Sequence, residues 1–224
     1  MLKKDWNLYL ITEEKLSGGR STLEVVREAV KGGVDVIQLR DKNLTIRERY
    51  ALGTKIRKIT KKSNVDFIVN NRVDLAAALD ADGVHLGQDD LPCSEARNIL
   101  GADKIIGITA IKAEDIIKAE KDGADYLGIG SVFKTVSKKV SREKDGIGIQ
   151  GIKRVKKLTS LPLVAVGGLN SSNAADVLRA GADTISVISA VAAAENIENT
   201  VRNLSEIIEI TKNGRQQRGG KFGT

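Results

Sequence analysis

Three side chains that could hold an anion stand at alternate positions in Gln38-Leu39-Arg40-Asp41-Lys42. The apolar run before them, Val34-Asp35-Val36-Ile37, reads as a buried strand. Side chains alternate along a strand, so Gln38, Arg40 and Lys42 share one direction where the strand continues. An amide and two cations at a strand's C-terminal end suit a phosphate or diphosphate ester. Alone, the pentapeptide favours a plainer reading, a solvated strand end with ordinary surface charge.

Other groups shift that balance. Asn70-Asn71-Arg72, Gly87-Gln88-Asp89-Asp90, Thr109, Gly167-Gly168 and Ile188-Ser189 each follow or end an apolar run. The segment from Ser131 to Ile147 carries Thr135, Ser137, Lys138 and Lys139, and it is longer than the other connections. Hydroxyls and ammonium groups on a long connection fit a mobile, ligand-covering role, against the alternative of a charged loop. Two carboxylates at Asp89 and Asp90 beside two Asn carbonyls could hold a hard cation with water in its remaining positions. The alternative for the two acids is the start of a helix, where negative charge is favoured. Gly167-Gly168 is either a tight turn or a place where bare N–H groups reach a phosphate. His85, the one histidine, sits on an alternating strand and reads as a satisfied structural residue. Cys93, beside Pro92 at a helix start, reads as a packing residue, and no Ser-His-Asp or Cys-His set is apparent.

The elements that must position these groups repeat. Lys31-Gly32-Gly33-Val34-Asp35-Val36, Leu79-Asp80-Ala81-Asp82-Gly83-Val84, Lys121-Asp122-Gly123-Ala124-Asp125-Tyr126 and Arg179-Ala180-Gly181-Ala182-Asp183-Thr184 share a pattern. Each is a helix end, a small or acidic turn, then an apolar strand. Further strands fit Leu8 to Thr12, Phe67 to Asn70, Ile105 to Thr109 and Leu163 to Val166, which makes eight. Helical periodicity fills the intervals: 22–31, 45–62, 74–79, 94–100, 113–121, 149–159, 172–180 and 197–211. Thr45 and Glu48 have the spacing of a capping box. Strand and helix alternating eight times predict an α/β fold of the (β/α)8 TIM-barrel type, in which strand C-terminal ends carry the chemistry. A doubly wound sheet is the alternative, but no Gly-x-Gly-x-x-Gly follows the first strand. No linker divides the chain, so residues 1–212 form one catalytic domain and residues 213–224 a basic, frayed tail.

The composition bounds the rest. With 41% hydrophobic and 29% charged residues, the chain has the make-up of a globular protein with a full-sized core. One cysteine excludes an internal disulfide framework and a cysteine metal cluster. No signal peptide and no membrane-spanning run is visible, which together with the lone cysteine suggests the cytoplasm. The net charge of +7 fits an anionic small substrate, or nucleic acid gripped by the tail. One Arg218-Gly219-Gly220 is thin support for the latter, so nucleic acid is not expected, nor is a membrane.

Taken in order, Gln38-Leu39-Arg40-Asp41-Lys42, Asn70-Asn71-Arg72-Val73-Asp74, Gly83-Val84-His85-Leu86-Gly87-Gln88-Asp89-Asp90 and Gly167-Gly168 resemble the thiamine-phosphate synthase family from Leu8 to about Ala190. The resemblance implies a barrel transferase of thiamine biosynthesis. It would join a hydroxymethylpyrimidine diphosphate to a thiazole phosphate and release diphosphate, with Mg²⁺ as cofactor. These small molecules are the implied partners, and a homo-oligomer is compatible with the reading. Carried over residue by residue, Gln38, Arg40 and Lys42 would bind the pyrimidine diphosphate, with Asn70 beside the ring and Thr109, where the family usually has Ser, near the diphosphate. Thr135 and Ser137 would hold the thiazole phosphate, together with backbone at Gly168, Ile188 and Ser189. Lys138 would contact the diphosphate, and Arg40, Thr109 and Lys138 are the catalytic candidates. Asp90 would bind Mg²⁺, helped by Asn71 where the family usually has Asp. Ile111 stands where a His is common, which disfavours the related thiazole tautomerase, and the stretch from Lys134 to Gly148 lacks the family's usual prolines and is unusually basic.

Overall fold

The structure, a computed structural model, describes residues 5–41, 43–134 and 146–219. Eight parallel strands close into a barrel in chain order. They are β1 (Leu8–Ile11), β2 (Val36–Leu39), β3 (Asp66–Asn70), β4 (Gly83–Leu86), β5 (Ile105–Thr109), β6 (Tyr126–Ile129), β7 (Leu163–Val166) and β8 (Thr184–Val187). The helices outside are α1 (Thr22–Gly32), α2 (Ile46–Lys62), α3 (Val73–Ala78), α4 (Cys93–Leu100), α5 (Ala113–Lys121), α6 (Gly148–Lys156), α7 (Ala174–Arg179), α8 (Ser189–Ala192) and α9 (Ile197–Gly219). The expected barrel is present. The second strand starts two residues later than its apolar run and ends at Leu39, so Gln38 belongs to the strand itself.

Alternation along the strands sorts the apolar residues into two cores. Leu10, Ile37, Leu39, Phe67, Val69 and Ile106 face outward and pack with helix residues such as Val26, Ile56 and Ile116. Tyr9, Ile11, Val36, Ile68, Tyr126 and Val164 face inward, where Trp6 joins them. The Trp6 ring meets Tyr9 and Tyr126 edge-on, with centroids 5.6 and 5.3 Å away. Its Nε1 donates to Asp66 Oδ2 at 2.7 Å. Trp6 precedes β1, so this aromatic plug fills the N-terminal end and leaves the C-terminal end as the open one.

The repeat seen in the sequence has a physical cause. The acid just before each even strand accepts an N–H from the first or second residue of the preceding odd strand. Asp35 Oδ2 takes Leu8 N, Asp82 Oδ2 takes Phe67 N, Asp125 Oδ2 takes Ile106 N and Asp183 Oδ2 takes Leu163 N, all at 2.8–2.9 Å. Arg57, Arg97 and Lys156, from the helices that precede those odd strands, pair with Asp82, Asp125 and Asp183. These bonds fix the stagger between neighbouring strands at the closed end. They thereby set which residues reach the open end.

Local signals hold where they were strongest. Thr45 and Glu48 form a full capping box at the start of α2, of a kind that stabilises by about 1 kcal/mol. Cys93 is buried, as expected. The last helix differs from the expectation. It continues past Thr211 to Gly219, because Lys212 Nζ donates to Trp6 O at 3.0 Å and Asn7 Oδ1 at 2.6 Å, and Arg215 donates to Ala182 O at 3.2 Å. Lys212, and Arg215 from the stretch assigned to a frayed tail, therefore tie the helix to the closed end of the barrel. Among the described residues, no helix is long and apolar enough to cross a membrane.

Candidate active site

A cavity opens at the C-terminal ends of the strands. Gln38, Arg40, Asn70 and Thr109 line one side of it, and Gly168, Ile188 and Ser189 the other. These residues are far apart in the chain and converge because each ends a strand of one closed sheet. Lys42, Thr135, Ser137 and Lys138 lie outside the described residues. The stretch carrying the last three does have anchored flanks. Val132 N and Phe133 N donate to Val166 O and Gly167 O, and Ile147 N and Gly148 N donate to Ser131 O and Val132 O, at 2.9–3.0 Å.

Two glycines shape the side formed by the ends of β7 and β8. Gly167 and Gly168 have φ of +103° and +67°, a region that side chains disfavour. A Cβ on Gly167 would also lie 2.8 Å from Ser131, and one on Gly168 would lie 2.9 Å from Phe133 Cβ. Bare backbone is therefore presented to the cavity. Helix α8 starts on the adjacent strand end, and its first N–H groups, at Ser189 and Ala190, have no acceptor within the helix. The loop after strand seven with a short extra helix after strand eight is the recurrent phosphate position of such barrels.

The opposite wall is polar and largely buried. Gln38 is 2% exposed and Arg40 6%. Arg40 does not stand free: its Nη1 pairs with the carboxylate of Glu13, a residue without a motif of its own in the sequence. Thr12, at the end of β1, brackets the Arg40 backbone by accepting its N–H at 3.0 Å and donating to its carbonyl at 3.3 Å. Gln38 Nε2 donates to Tyr9 Oη at 2.6 Å, leaving its carbonyl as the end not used by that bond. Tyr9 Oη lies 3.1 Å from Tyr126 Oη, which lies 3.0 Å from His85 Nδ1, and His85 Nε2 lies 2.9 Å from Thr109 Oγ1. Burial pushes both phenols well above the usual tyrosine range, so they stay protonated. Ser186, 1% exposed, lines the same cavity, and its Oγ has no hydrogen-bond partner among the described residues. Neither Glu13 nor Ser186 has a local signal in the sequence beyond its place near a strand end.

The two metal candidates are placed differently. Asp90 Oδ2 accepts the Gly87 N–H at 2.6 Å within its own turn, in a hollow with Gln88 and Cys93. Asn71 has φ +67°, donates its N–H to His85 O at 2.8 Å and borders a separate hollow with Arg40, Asn70 and Arg49. Among the described residues there is no cluster of three His, Cys, Asp or Glu side chains that could hold a metal. What remains is one carboxylate with one oxygen committed to its turn, and one amide on the neighbouring strand end. That donor set suits Mg²⁺, which keeps several waters and takes its other ligands from substrate phosphates. It does not make a preformed cage.

A closed (β/α)8 barrel with bare glycine backbone, a short helix start and a buried guanidinium around its open end has the architecture of a barrel enzyme, with its polar groups at the strand C-terminal ends. The chain belongs to the thiamine monophosphate synthase family, whose profile matches residues 8–191. It is 49% identical to the thiamine-phosphate synthase of Natronomonas pharaonis over 93% of this chain and 97% of that one. It is 47% identical to the thiamine-phosphate synthase of Moorella thermoacetica over 91% and 96% of the two chains. The solved structure of thiamine phosphate pyrophosphorylase from Pyrococcus furiosus superposes with a TM-score of 0.84 at 41% identity, covering 92% of this chain and 97% of that one.

Proposed function

We propose that the chain condenses 4-amino-2-methyl-5-(diphosphooxymethyl)pyrimidine with a thiazole phosphate to give thiamine phosphate and diphosphate. The observation that carries this reading is convergence. Every described residue that the resemblance assigns to the two substrates lines one cavity. The enzyme is a transferase. The bond from the pyrimidine methylene to the diphosphate oxygen breaks, and its electron pair leaves with diphosphate. The thiazole nitrogen lone pair then forms the new C–N bond.

The side chains divide this work. The Gln38 carbonyl and Asn70 face the pyrimidine, and Arg40 offers guanidinium N–H groups beyond the one held by Glu13. Arg40 and the Thr109 hydroxyl stabilise charge growing on the departing diphosphate. The Gly168, Ile188 and Ser189 backbone receives the thiazole phosphate, so the two substrates meet across the mouth. Lys42, Thr135, Ser137 and Lys138 complete the set by resemblance. Asp90, with Asn71, would hold Mg²⁺, which supplies charge neutralisation to the diphosphate. The isomerase reading lacks its histidine at Ile111. The nucleic-acid reading loses the tail cation Arg215, and Lys212 just before the tail, to barrel contacts.

The test is incubation with both phosphorylated precursors, with Mg²⁺ or with chelator, followed by detection of thiamine phosphate. Product is expected only when both precursors and Mg²⁺ are present. No product from the folded protein under those conditions would sink the reading.

A further inference from the structure

The hydrogen-bonded file from Gln38 through Tyr9, Tyr126 and His85 to Thr109 has a direction. We infer that it holds His85 as the neutral Nε2–H tautomer, so that Thr109 accepts from His85 and its own hydroxyl proton is left to donate to an anion in the cavity. His85 is then a positioning residue acting through Thr109. The inference rests on the assignment of Thr109 to the departing diphosphate.

The argument is a count of protons. Gln38 Nε2 donates to Tyr9 Oη at 2.6 Å. Tyr9 has one proton, is 1% exposed, and among the described residues its other neighbouring polar atom is Tyr126 Oη at 3.1 Å. Tyr9 therefore donates to Tyr126. The Tyr126 proton then goes to His85 Nδ1 at 3.0 Å, which must accept. The remaining ring proton sits on Nε2 and points at Thr109 Oγ1, 2.9 Å away. Each of the four contacts then holds one proton. With the opposite direction, and Gln38 turned with its amide nitrogen to Tyr9, Tyr9 would keep a buried proton with no acceptor among the described residues. That disfavours the reversed file by roughly one to two orders of magnitude.

The barrel is shaped to keep the two rings in place. His85 and Tyr126 stack, with centroids 5.5 Å apart and planes at 24°. A Cβ on Gly107 would lie 2.0 Å from Tyr126 Cζ, and one on Gly128 would lie 2.6 Å from His85 Cε1. Glycine at these two inward positions is what lets the rings cross the interior. A hydroxyl fixed as a donor before substrate arrives needs no reorientation as negative charge develops.

The test uses the fact that the chain has one histidine. Long-range ¹H–¹⁵N correlation on the ring, in the folded, ligand-free wild-type protein, reads the tautomer without an assay. Proton on Nε2 with Nδ1 bare is expected; proton on Nδ1, or on both nitrogens, at neutral pH overturns the inference. Activity adds a second reading. His85→Gln keeps an N–H where Nε2 lies, whereas His85→Asn places its amide near the Nδ1 position. His85→Gln should hold kcat within about threefold, and His85→Asn should lower it at least tenfold with KM little changed. Equal kcat in the two variants counts against the file's direction. Thr109→Val separates this from the underlying assignment: it should lower kcat about 100-fold. If it does not, the role of Thr109 on diphosphate fails irrespective of the tautomer.

Discussion

The guanidinium of Arg40 is closed on the carboxylate of Glu13, with only 6% and 11% of the two side chains exposed. The cation proposed to meet a diphosphate thus has a protein counter-charge at the cavity wall. The pairing keeps a buried positive charge compensated before any substrate arrives, and it aims the guanidinium.

Removing one partner of a buried pair is strongly destabilising, by about 3–5 kcal/mol, because the other charge is left alone. Glu13→Gln should therefore lower the unfolding temperature of the ligand-free protein. Inorganic diphosphate, as a replacement anion, should raise that temperature more in Glu13→Gln than in wild type. Thermal scans with and without diphosphate check this, and equal shifts would remove Arg40 from diphosphate binding.

The metal site should be weak until substrate completes it. Asn71 offers a neutral carbonyl, so Asn71→Asp should lower the Mg²⁺ concentration for half-maximal activity about tenfold, equivalent to about 1.4 kcal/mol. Asp90→Asn should raise it by at least as much. Activity titrated against Mg²⁺ in the three proteins decides the matter. Unchanged midpoints in both variants would mean that these residues do not hold the metal.

The end of α9 should matter for stability and not for turnover. Ending the chain at Thr211 deletes the Lys212 contacts to Trp6 and Asn7 and the Arg215 contact to Ala182, all remote from the cavity. A loss of about 1–3 kcal/mol in urea unfolding is expected, with kcat/KM within twofold of wild type. Ending it at Gly219 should change neither. A large loss of kcat in the shorter, folded protein would contradict the assignment.

Burial pushes the Cys93 thiol up from 9.0 to about 11. Between these values an unfolded chain has lost the proton and the folded chain still holds it. The folded state then binds more protons, so stability falls as pH rises through this window. The expected loss attributable to Cys93 is up to about 2–3 kcal/mol, and Cys93→Ala should lack that share while retaining the loss from Tyr9 and Tyr126, whose raised values act in the same direction. Denaturation at pH 8 and pH 10.5 in both proteins measures the difference. Alkylation of folded wild type should stay slow to about pH 10, since the thiolate is the reactive form.

Two glycine substitutions should have opposite signs. Gly107→Ala puts a Cβ inside the Tyr126 ring contact, and overpacking of this kind destabilises by about 1–3 kcal/mol or more. Gly214→Ala, in α9 with nothing within 4 Å of the added carbon, should stabilise by about 0.5–1 kcal/mol through helix propensity. Chemical denaturation of the two variants checks both signs.

Much of this was legible locally. The alternation that put Gln38 and Arg40 on one wall, the Thr45–Glu48 capping box and the acid before each even strand are all short-range patterns. Gly167-Gly168 read equally as a turn and as a phosphate seat, and the positive φ values together with Ser131 and Phe133 pressed against them show why glycine is required there. The end of α9 was misjudged for a definite reason: its apolar periodicity stops near Thr211, and the groups that extend it are carbonyls at Trp6 and Ala182, distant in sequence.

By itself the sequence determined the barrel, because hydrophobic period, helix caps and the fourfold Asp repeat are properties of neighbouring residues and need no knowledge of what lies across the core. It also determined which strand ends carry polar groups. Tertiary structure alone decided how those groups are used. Arg40 faces Glu13, His85 lies between Tyr126 and Thr109, and Asp90 turns one oxygen back to Gly87. Partnerships across a closed sheet depend on register and stagger, and these are set by bonds between residues tens of positions apart, where no local pattern in the chain records them.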